Sequence, residues 1–185
     1  MRYGRTGSLF AFEKFGILPD ILTVAKAFGG GLPIGAFISS KTIMNSLSHD
    51  PALGHITTFG GNPVVCAQGS AVLDVIDREK LQANSLKIGN RILAGLDKLK
   101  EKHNIIGDVR GKGLLLGIEL VKDRQSKEPA KEECAQVMEM CKEMGLLLGK
   151  GGLWGQTIRF SPPMCINEQD ADFLLEVLDR ALGSL

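Results

Sequence analysis

Hydrophobic and polar positions change period along the chain, and the first third predicts an α/β arrangement. Apolar runs at residues 21–25 and 34–39 have the length of β-strands, and the first lies between Pro19 and a run of glycines. Its almost continuous apolar character is typical of a strand covered on both faces. We expect a short helix at residues 9–15 before it and another at residues 41–47 after the second strand. Alternating strands and helices of this kind define an α/β unit.

The rest of the chain places longer helices before strands. Apolar residues recur at helical spacing through residues 79–103, which predicts a long amphipathic helix. Residues 105–121 then contain a turn that leads into a strand. This change of pattern predicts a second domain of the α+β type, so we divide the chain into residues 1–79 and residues 80–185.

Shorter elements follow in both parts. We expect a polar loop at residues 48–54, a helix at 134–144, a short strand at 146–148, a strand at 157–160 and a closing amphipathic helix at 168–182.

The segment around Asn62 carries a strong signal for the start of a helix. Asn62 is suited to an N-cap and Pro63 to the first helical position, with the helix itself predicted at residues 64–76. The free amides of a helix start, the hydroxyls of Thr57 and Thr58 and the glycine pair between them and Asn62 together make a candidate phosphate site. The alternative is a structural turn and cap.

Two charged residues stand in apolar surroundings. Lys26 follows the strand at residues 21–25, where ligands bind in open α/β sheets, and its primary amine could form a Schiff base with a carbonyl compound. The alternative is a lysine whose stem packs while its ammonium reaches water. Arg159 lies within the predicted strand at residues 157–160, and we expect it to bind either a protein carboxylate or an anionic ligand.

Composition narrows the classes of function. With 22 basic and 21 acidic residues the net charge is +1, which provides no electrostatic footprint for nucleic acid or an anionic membrane. No apolar run approaches the roughly 18 residues of a membrane span. The cysteines form no Cys-x-x-Cys pair and have no histidine at metal-ligand spacing, so we predict no metal site and reduced, buried thiols in an intracellular protein. These are Cys66, Cys134, Cys141 and Cys165.

Taken together, six short blocks strongly resemble the class III aminotransferases, which use pyridoxal 5'-phosphate (PLP), and they occur in that family's order. Within the family the resemblance is closest to the type 2 alanine-glyoxylate aminotransferases, through residues 144–149 and 156–166. The six blocks are Pro19-Asp20-Ile21, Ala25-Lys26, residues 30–36 with Gly30-Gly31 and Pro33, residues 57–63, residues 109–114 and residues 158–163.

The resemblance implies a fold and a set of roles. Residues 1–79 would be the C-terminal part of the PLP-binding large domain of fold type I, and residues 80–185 the small C-terminal domain. Lys26 matches the lysine that holds PLP as a Schiff base and then moves a proton at the substrate carbon. Thr58, with Thr57 beside it, matches the residue that binds the phosphate of the cofactor held by the other subunit of a homodimer. Arg159 matches the arginine that binds the substrate carboxylate, and the reaction would move an amino group from an amino acid such as alanine to an oxo-acid such as glyoxylate or pyruvate.

The chain departs from the family pattern at its start. Met1-Arg2-Tyr3 occupies the place of an acidic Asp-Glu-Val-Gln stretch, whose aspartate keeps the pyridine nitrogen of PLP protonated. We therefore expect a C-terminal portion of an aminotransferase that transaminates poorly alone. The alternative is a noncatalytic module that acts in dimerisation or binding. A targeting peptide would precede Met1, so the choice between cytoplasm and mitochondrion stays open.

Overall fold

The structure, a computed structural model, describes residues 3–49, 51–52 and 54–185 and divides into two compact units. The first unit runs to residue 81 without residues 5–7, and the second comprises residues 5–7 and 82–185. Met1 and Arg2 of the opening, and parts of the loop expected at residues 48–54, lie outside the described residues. The predicted domains, residues 1–79 and 80–185, stay a prediction.

The first unit joins a two-stranded ribbon to helices. Its 3₁₀ turns are Ala11–Phe15 and Lys26–Gly29, its strands are β1 (Ile21–Ala25) and β2 (Gly35–Ser39), and its helices are α1 (Lys41–His49) and α2 (Pro63–Arg78). The two strands pair antiparallel, with Val24 opposite Ala36. The core of this unit is small: Tyr3, Val24 and Ile76 are buried, and the Tyr3 ring stacks on Phe28 at 5.4 Å between centroids.

Two expectations for the first unit were wrong. Strand β1 is not covered on both faces, since Val24 alone is buried in it and Ile21 is 52% exposed. The reason is that β1 pairs only with β2, and one face of the ribbon packs on the core. The helix expected at residues 9–15 is a 3₁₀ turn that starts at Ala11, because Phe10 is extended and its backbone N–H donates to the Glu13 carboxylate.

The second unit packs helices on an antiparallel sheet of four strands in the order β3-β4-β6-β5. The strands are β3 (Ile106–Lys112), β4 (Leu115–Leu120), β5 (Gly149–Gly151) and β6 (Thr157–Phe160), and the helices are α3 (Leu81–Lys102), α4 (Lys131–Glu143) and α5 (Glu168–Gly183). One core joins the sheet to all three helices. Its fully buried side chains include Ile92, Leu96, Ile118, Ile158 and Leu178.

Some boundaries in this unit differ from the expected ones. Residues 105–121 form a hairpin of two strands rather than a turn and one strand, because the charged residues of β3 face the open side of the sheet and hide its apolar period. The strand expected at residues 146–148 was also wrong: the strand is β5, immediately after it. The backbone N–H of Leu146 donates to the Cys141 carbonyl at the end of α4, so this segment finishes a helix instead of joining a sheet.

Candidate active site

Lys26 occupies a strained backbone position at the end of β1. Its φ is +59°, in the left-handed region that costs a residue with a Cβ free energy, while Ala25 before it is fully extended. Two other described non-glycine residues, Lys80 and Lys127, share a positive φ, but both close turns. Their backbone N–H groups donate to the backbone carbonyls of Asp77 and Asp123. Lys26 is exposed and leads straight from a strand into the 3₁₀ turn Lys26–Gly29.

The glycines after Lys26 hold this turn against α2. The Gly30 carbonyl accepts a hydrogen bond from Gln68 Nε2 at 3.0 Å, and a Cβ on Gly30 would lie 2.7 Å from Val72 Cγ2. A Cβ on Gly29 would likewise lie 2.8 Å from Ile34 Cγ2. This close approach fixes the backbone on the C-terminal side of Lys26, so the lysine projects from an anchored loop.

The segment with Thr57 and Thr58 is a turn that leads into α2. The Gly60 N–H donates to the Thr57 carbonyl at 3.4 Å, and Thr57 Oγ1 covers the Gly60 α-carbon so closely that a Cβ there would lie 2.4 Å from it. Thr57 lines two open pockets of about 480 and 790 Å³, together with residues of β2. Thr58 is exposed, and neither pocket includes Thr58 or Lys26.

The structure confirms the predicted helix start and shows that two of the amides expected to be free are capped. Asn62 is the N-cap and Pro63 the first helical residue, as predicted. The Asn62 Oδ1 atom accepts hydrogen bonds from the amides of Val64 and Val65 at 3.1 and 3.3 Å. Those two amides are therefore not free for a phosphate, whereas Thr57 and Thr58 offer hydroxyl donors on the side chains of this segment.

Arg159 lies in β6 of the second unit with its side chain exposed. The expectation of a guanidinium amid apolar residues was wrong, because the neighbouring Ile158 and Phe160 are buried on the opposite face of the sheet. Within residues 3–49, 51–52 and 54–185 the Arg159 side chain has no hydrogen bond or ion pair. It lines a pocket of about 350 Å³ beside Leu148. Of the two partners expected, a protein carboxylate is therefore not found among the described residues.

Two of the four free cysteines are exposed and two are buried, which corrects the expectation that all four are buried. Cys66 and Cys165 are exposed, while Cys134 and Cys141 are buried. Burial raises the pKa of the Cys134 thiol and raises the pKa of Cys141 to about 11. In the described part of the chain no three His, Cys, Asp or Glu side chains come together as metal ligands, and no helix there is long and apolar enough to cross a membrane.

Gly149 is a residue that the sequence did not single out. The sequence predicts no strand at this position, but β5 places Gly149 directly beside Arg159 of β6. The pairing joins positions ten residues apart, and Gly-Lys-Gly has no side-chain period from which to infer a strand. Only the register of the sheet shows that Gly149 is a neighbour of Arg159.

The fold defines a class of enzyme. An aminotransferase from Bacillus anthracis matches 99% of this chain at a TM-score of 0.92 and 35% sequence identity, over 43% of its own length. An amine transaminase from an uncultivated Pseudomonas species, solved in its PLP-bound form, matches 98% of the chain at a TM-score of 0.89 and 29% identity, over 42% of its own length. The chain thus has the fold of PLP-dependent transaminases.

Sequence similarity specifies the family. Residues 2–182 match the family Aminotransferase class-III, and the chain belongs to it. The human protein named mitochondrial alanine–glyoxylate aminotransferase 2 is 48% identical over 182 residues, 97% of this chain and 35% of that protein. The mitochondrial alanine–glyoxylate aminotransferase 2 homolog 2 of Arabidopsis thaliana is 45% identical over 183 residues, 99% of this chain and 38% of that protein. The chain therefore spans well under half the length of these relatives.

The side chains of Lys26, Thr57 and Thr58 fit the cofactor of this family. Class III aminotransferases use pyridoxal 5'-phosphate, which carries an aldehyde and a phosphate. Lys26 offers an exposed primary amine for the aldehyde, and Thr57 and Thr58 offer hydroxyl donors for a phosphate beside the glycine turn. The chemistry of the donors agrees with such a ligand.

Proposed function

We propose that this chain supplies Lys26, Thr57, Thr58 and Arg159 to a class III transaminase that moves an amino group from an amino acid such as alanine to an oxo-acid such as glyoxylate or pyruvate. The backbone conformation of Lys26 carries the proposal. A left-handed lysine costs about 1–3 kcal/mol, and glycine or asparagine would relieve most of that strain. A lysine at this position is understandable if its amine is needed.

Lys26 has two tasks in the proposed reaction. Its Nζ would hold the cofactor aldehyde as a Schiff base, with release of water. Once an incoming amino group has displaced it, the free amine would take the proton from the substrate α-carbon as a general base. When bound, pyridoxal 5'-phosphate supplies a conjugated ring that withdraws electrons from that carbon. The hydrogen bond from Gln68 Nε2 to the Gly30 carbonyl anchors the glycine turn after Lys26, so the backbone from which Nζ projects is fixed.

Thr58, Thr57 and Arg159 hold the ends of the reacting molecules. The threonine hydroxyls donate to the cofactor phosphate, and we infer that Thr58 reaches the cofactor of a neighbouring subunit in a homodimer. Arg159 binds the substrate carboxylate through two parallel N–H groups of its planar fork. Its exposed side chain, which has no partner among the described residues, is available for such a ligand. We also infer an intracellular protein.

Reductive trapping tests the assignment of Lys26. The 185-residue chain is incubated with pyridoxal 5'-phosphate, reduced with borohydride, and mapped by peptide mass spectrometry. We expect the label on Lys26 and its loss in Lys26→Ala. Lys80→Ala is the matched control, since Lys80 shares the positive φ but closes a helix end, and it should leave the label on Lys26 unchanged. Label spread evenly over many lysines would contradict the proposal.

A further inference from the structure

The register of the second unit places Arg159 between two glycines. Arg110 pairs with Gly117, Gly117 with Arg159, and Arg159 with Gly149, so these four residues form one row across all four strands. Paired residues of neighbouring strands point to the same face of a sheet. Arg159 therefore lies on a face where the strand on each side of it contributes no side chain.

The two glycines differ in how close they come to the guanidinium. A Cβ built on Gly149 would lie 3.3 Å from both Nε and Nη2 of Arg159, which is tighter than an ordinary contact. A Cβ on Gly117 would meet Ile158 O at 3.4 Å and Thr157 Cγ2 at 3.5 Å instead. The guanidinium thus lies beside β5, with its Nε and Nη2 atoms equally distant from the position that a Cβ on Gly149 would occupy.

The backbone does not require a glycine at position 149. Gly149 is not among the residues with a positive φ, so any residue with a Cβ could adopt its conformation. A side chain there would nevertheless displace the guanidinium by a few tenths of an ångström. The missing Cβ at position 149 therefore leaves space for the Arg159 side chain and is not needed for the backbone conformation.

The acidic groups of the same face are already engaged. Arg110 binds Asp108 Oδ2 at 2.5 Å and Glu119 Oε2 at 2.9 Å. Glu119 also accepts a hydrogen bond from Gln156 Nε2 at 3.0 Å through its other oxygen. These two carboxylates are held by other donors, which leaves Arg159 open to a carboxylate from outside.

We propose that Gly149 is a positioning residue for Arg159: it lets the guanidinium rest against β5 in the orientation that receives a substrate carboxylate. The inference depends on the proposed role of Arg159 and adds a residue that sets its geometry. A two-bond contact with a carboxylate weakens steeply when the fork is displaced or tilted. A methyl group at position 149 should therefore weaken carboxylate binding while the fold persists.

Nitrogen-15 NMR of the 185-residue chain tests this directly, with pyruvate as the ligand and acetone as the control without a carboxylate. The Arg159 Nε–H signal is assigned by its loss in Arg159→Lys. We expect Gly149→Ala to shift this signal before any ligand is added, and to weaken pyruvate binding about three- to tenfold. Gly151→Ala is the matched control: it lies on the same strand and face, and its Cβ would meet only Thr157 O at 4.0 Å.

The outcomes separate the inference from the function on which it rests. If pyruvate shifts the Arg159 signal equally well in both glycine variants and the wild type, Gly149 does not position Arg159, while the carboxylate role survives. If pyruvate leaves that signal unmoved in every protein, the carboxylate role fails and the inference with it. In an Arg159→Lys background, where the methyl signal of pyruvate reports binding, Gly149→Ala should cause no further loss of pyruvate affinity, because a lysine has no planar fork to displace.

Discussion

The α-carbon of Gly89 in α3 lies against the backbone of Gly113, at the turn between β3 and β4. A Cβ on Gly89 would come within 2.2 Å of the Gly113 carbonyl oxygen, a distance that no side-chain rotation can relieve because the neighbour is backbone. Gly113 itself has a φ of +54°, and its own α-carbon faces the backbone of Arg5 and Thr6. Two glycines thus allow a helix and a hairpin turn to touch directly.

Replacing Gly89 should therefore be costly. We expect Gly89→Ala to lower the free energy of unfolding by about 2–4 kcal/mol, because the helix and the hairpin must move apart. Gly95→Ala in the same helix is the control: its Cβ would meet the flexible end of the Leu175 side chain, and the gain in helix propensity of about 1 kcal/mol offsets that contact. Urea denaturation measures both, and equal losses in the two variants would show that the backbone contact is not the cause.

The carboxylate of Asp179 joins α5 to the end of α3. Its Oδ1 lies 2.6 Å from His103 Nε2 and its Oδ2 2.7 Å from Lys102 Nζ, and these bonds, that to His103 first, lower the pKa of the Asp179 carboxyl below the usual 3.8. At neutral pH, Asp179→Asn should cost about 1 kcal/mol of stability. Asp172→Asn is the control on the same helix, since Asp172 binds the exposed Arg91, and it should cost less.

Acid should remove the advantage of Asp179. A carboxyl with a lower pKa in the folded state stabilises the fold above its unfolded pKa, and this contribution disappears as the pH falls through the folded pKa. We therefore expect the difference in unfolding free energy between the wild type and Asp179→Asn to be full at pH 7 and to shrink progressively below the usual value of 3.8. Chemical denaturation at neutral and acidic pH measures it, and a difference that grows in acid would contradict the ion-pair geometry.

Thiol chemistry should distinguish the exposed from the buried cysteines. Cys66 and Cys165 should react with a maleimide within minutes, whereas Cys134 and Cys141 should react only on unfolding, because both are buried and burial raises the pKa of both thiols. With its pKa of about 11, the Cys141 thiol is about one part in a thousand thiolate at pH 8. Mass spectrometry should find two labels on each native chain. Cys66→Ser and Cys165→Ser should each remove one of them, and four labels added at one rate would contradict the burial.

The elements that the sequence predicted well carry their signals locally. Asn62 and Pro63 predict the start of α2 because an N-cap and a first-turn proline act on backbone groups within the same helical turn. Strand β6 was predicted with its observed bounds for the same reason, since alternating side chains and a pair of prolines define it. Strand β5, by contrast, is Gly-Lys-Gly, and only its hydrogen bonds to β6 make it a strand.

The residues of the candidate site also divide into those that the sequence indicated and features that only the structure shows. The roles of Lys26, Thr58 and Arg159 came from resemblance to a family, since single residues in apolar surroundings have ordinary explanations. The exposure of Arg159 follows from the alternation of side chains in β6, which places it on the face opposite the buried Ile158 and Phe160, so its apolar neighbours in the sequence are not its surroundings in space. The positive φ of Lys26 could not be predicted from the sequence, since lysine has no preference for that conformation.

The strained backbone of Lys26 predicts that replacing this residue preserves or raises stability while it abolishes the proposed function. Lys26→Gly should leave the unfolding free energy unchanged or raise it by up to about 1 kcal/mol, because glycine adopts a φ of +59° without a Cβ penalty and loses part of that gain through its more flexible unfolded state. The same variant should lose the specific label with pyridoxal 5'-phosphate. Lys80→Gly and Lys127→Gly, at φ of +51° and +58°, should behave alike in stability and keep the label on Lys26. Urea denaturation and reductive labelling of the three variants provide the comparison. If Lys26→Gly alone destabilised the fold by more than the other two, the lysine side chain would be serving the structure, and the amine would no longer explain why a lysine occupies this position.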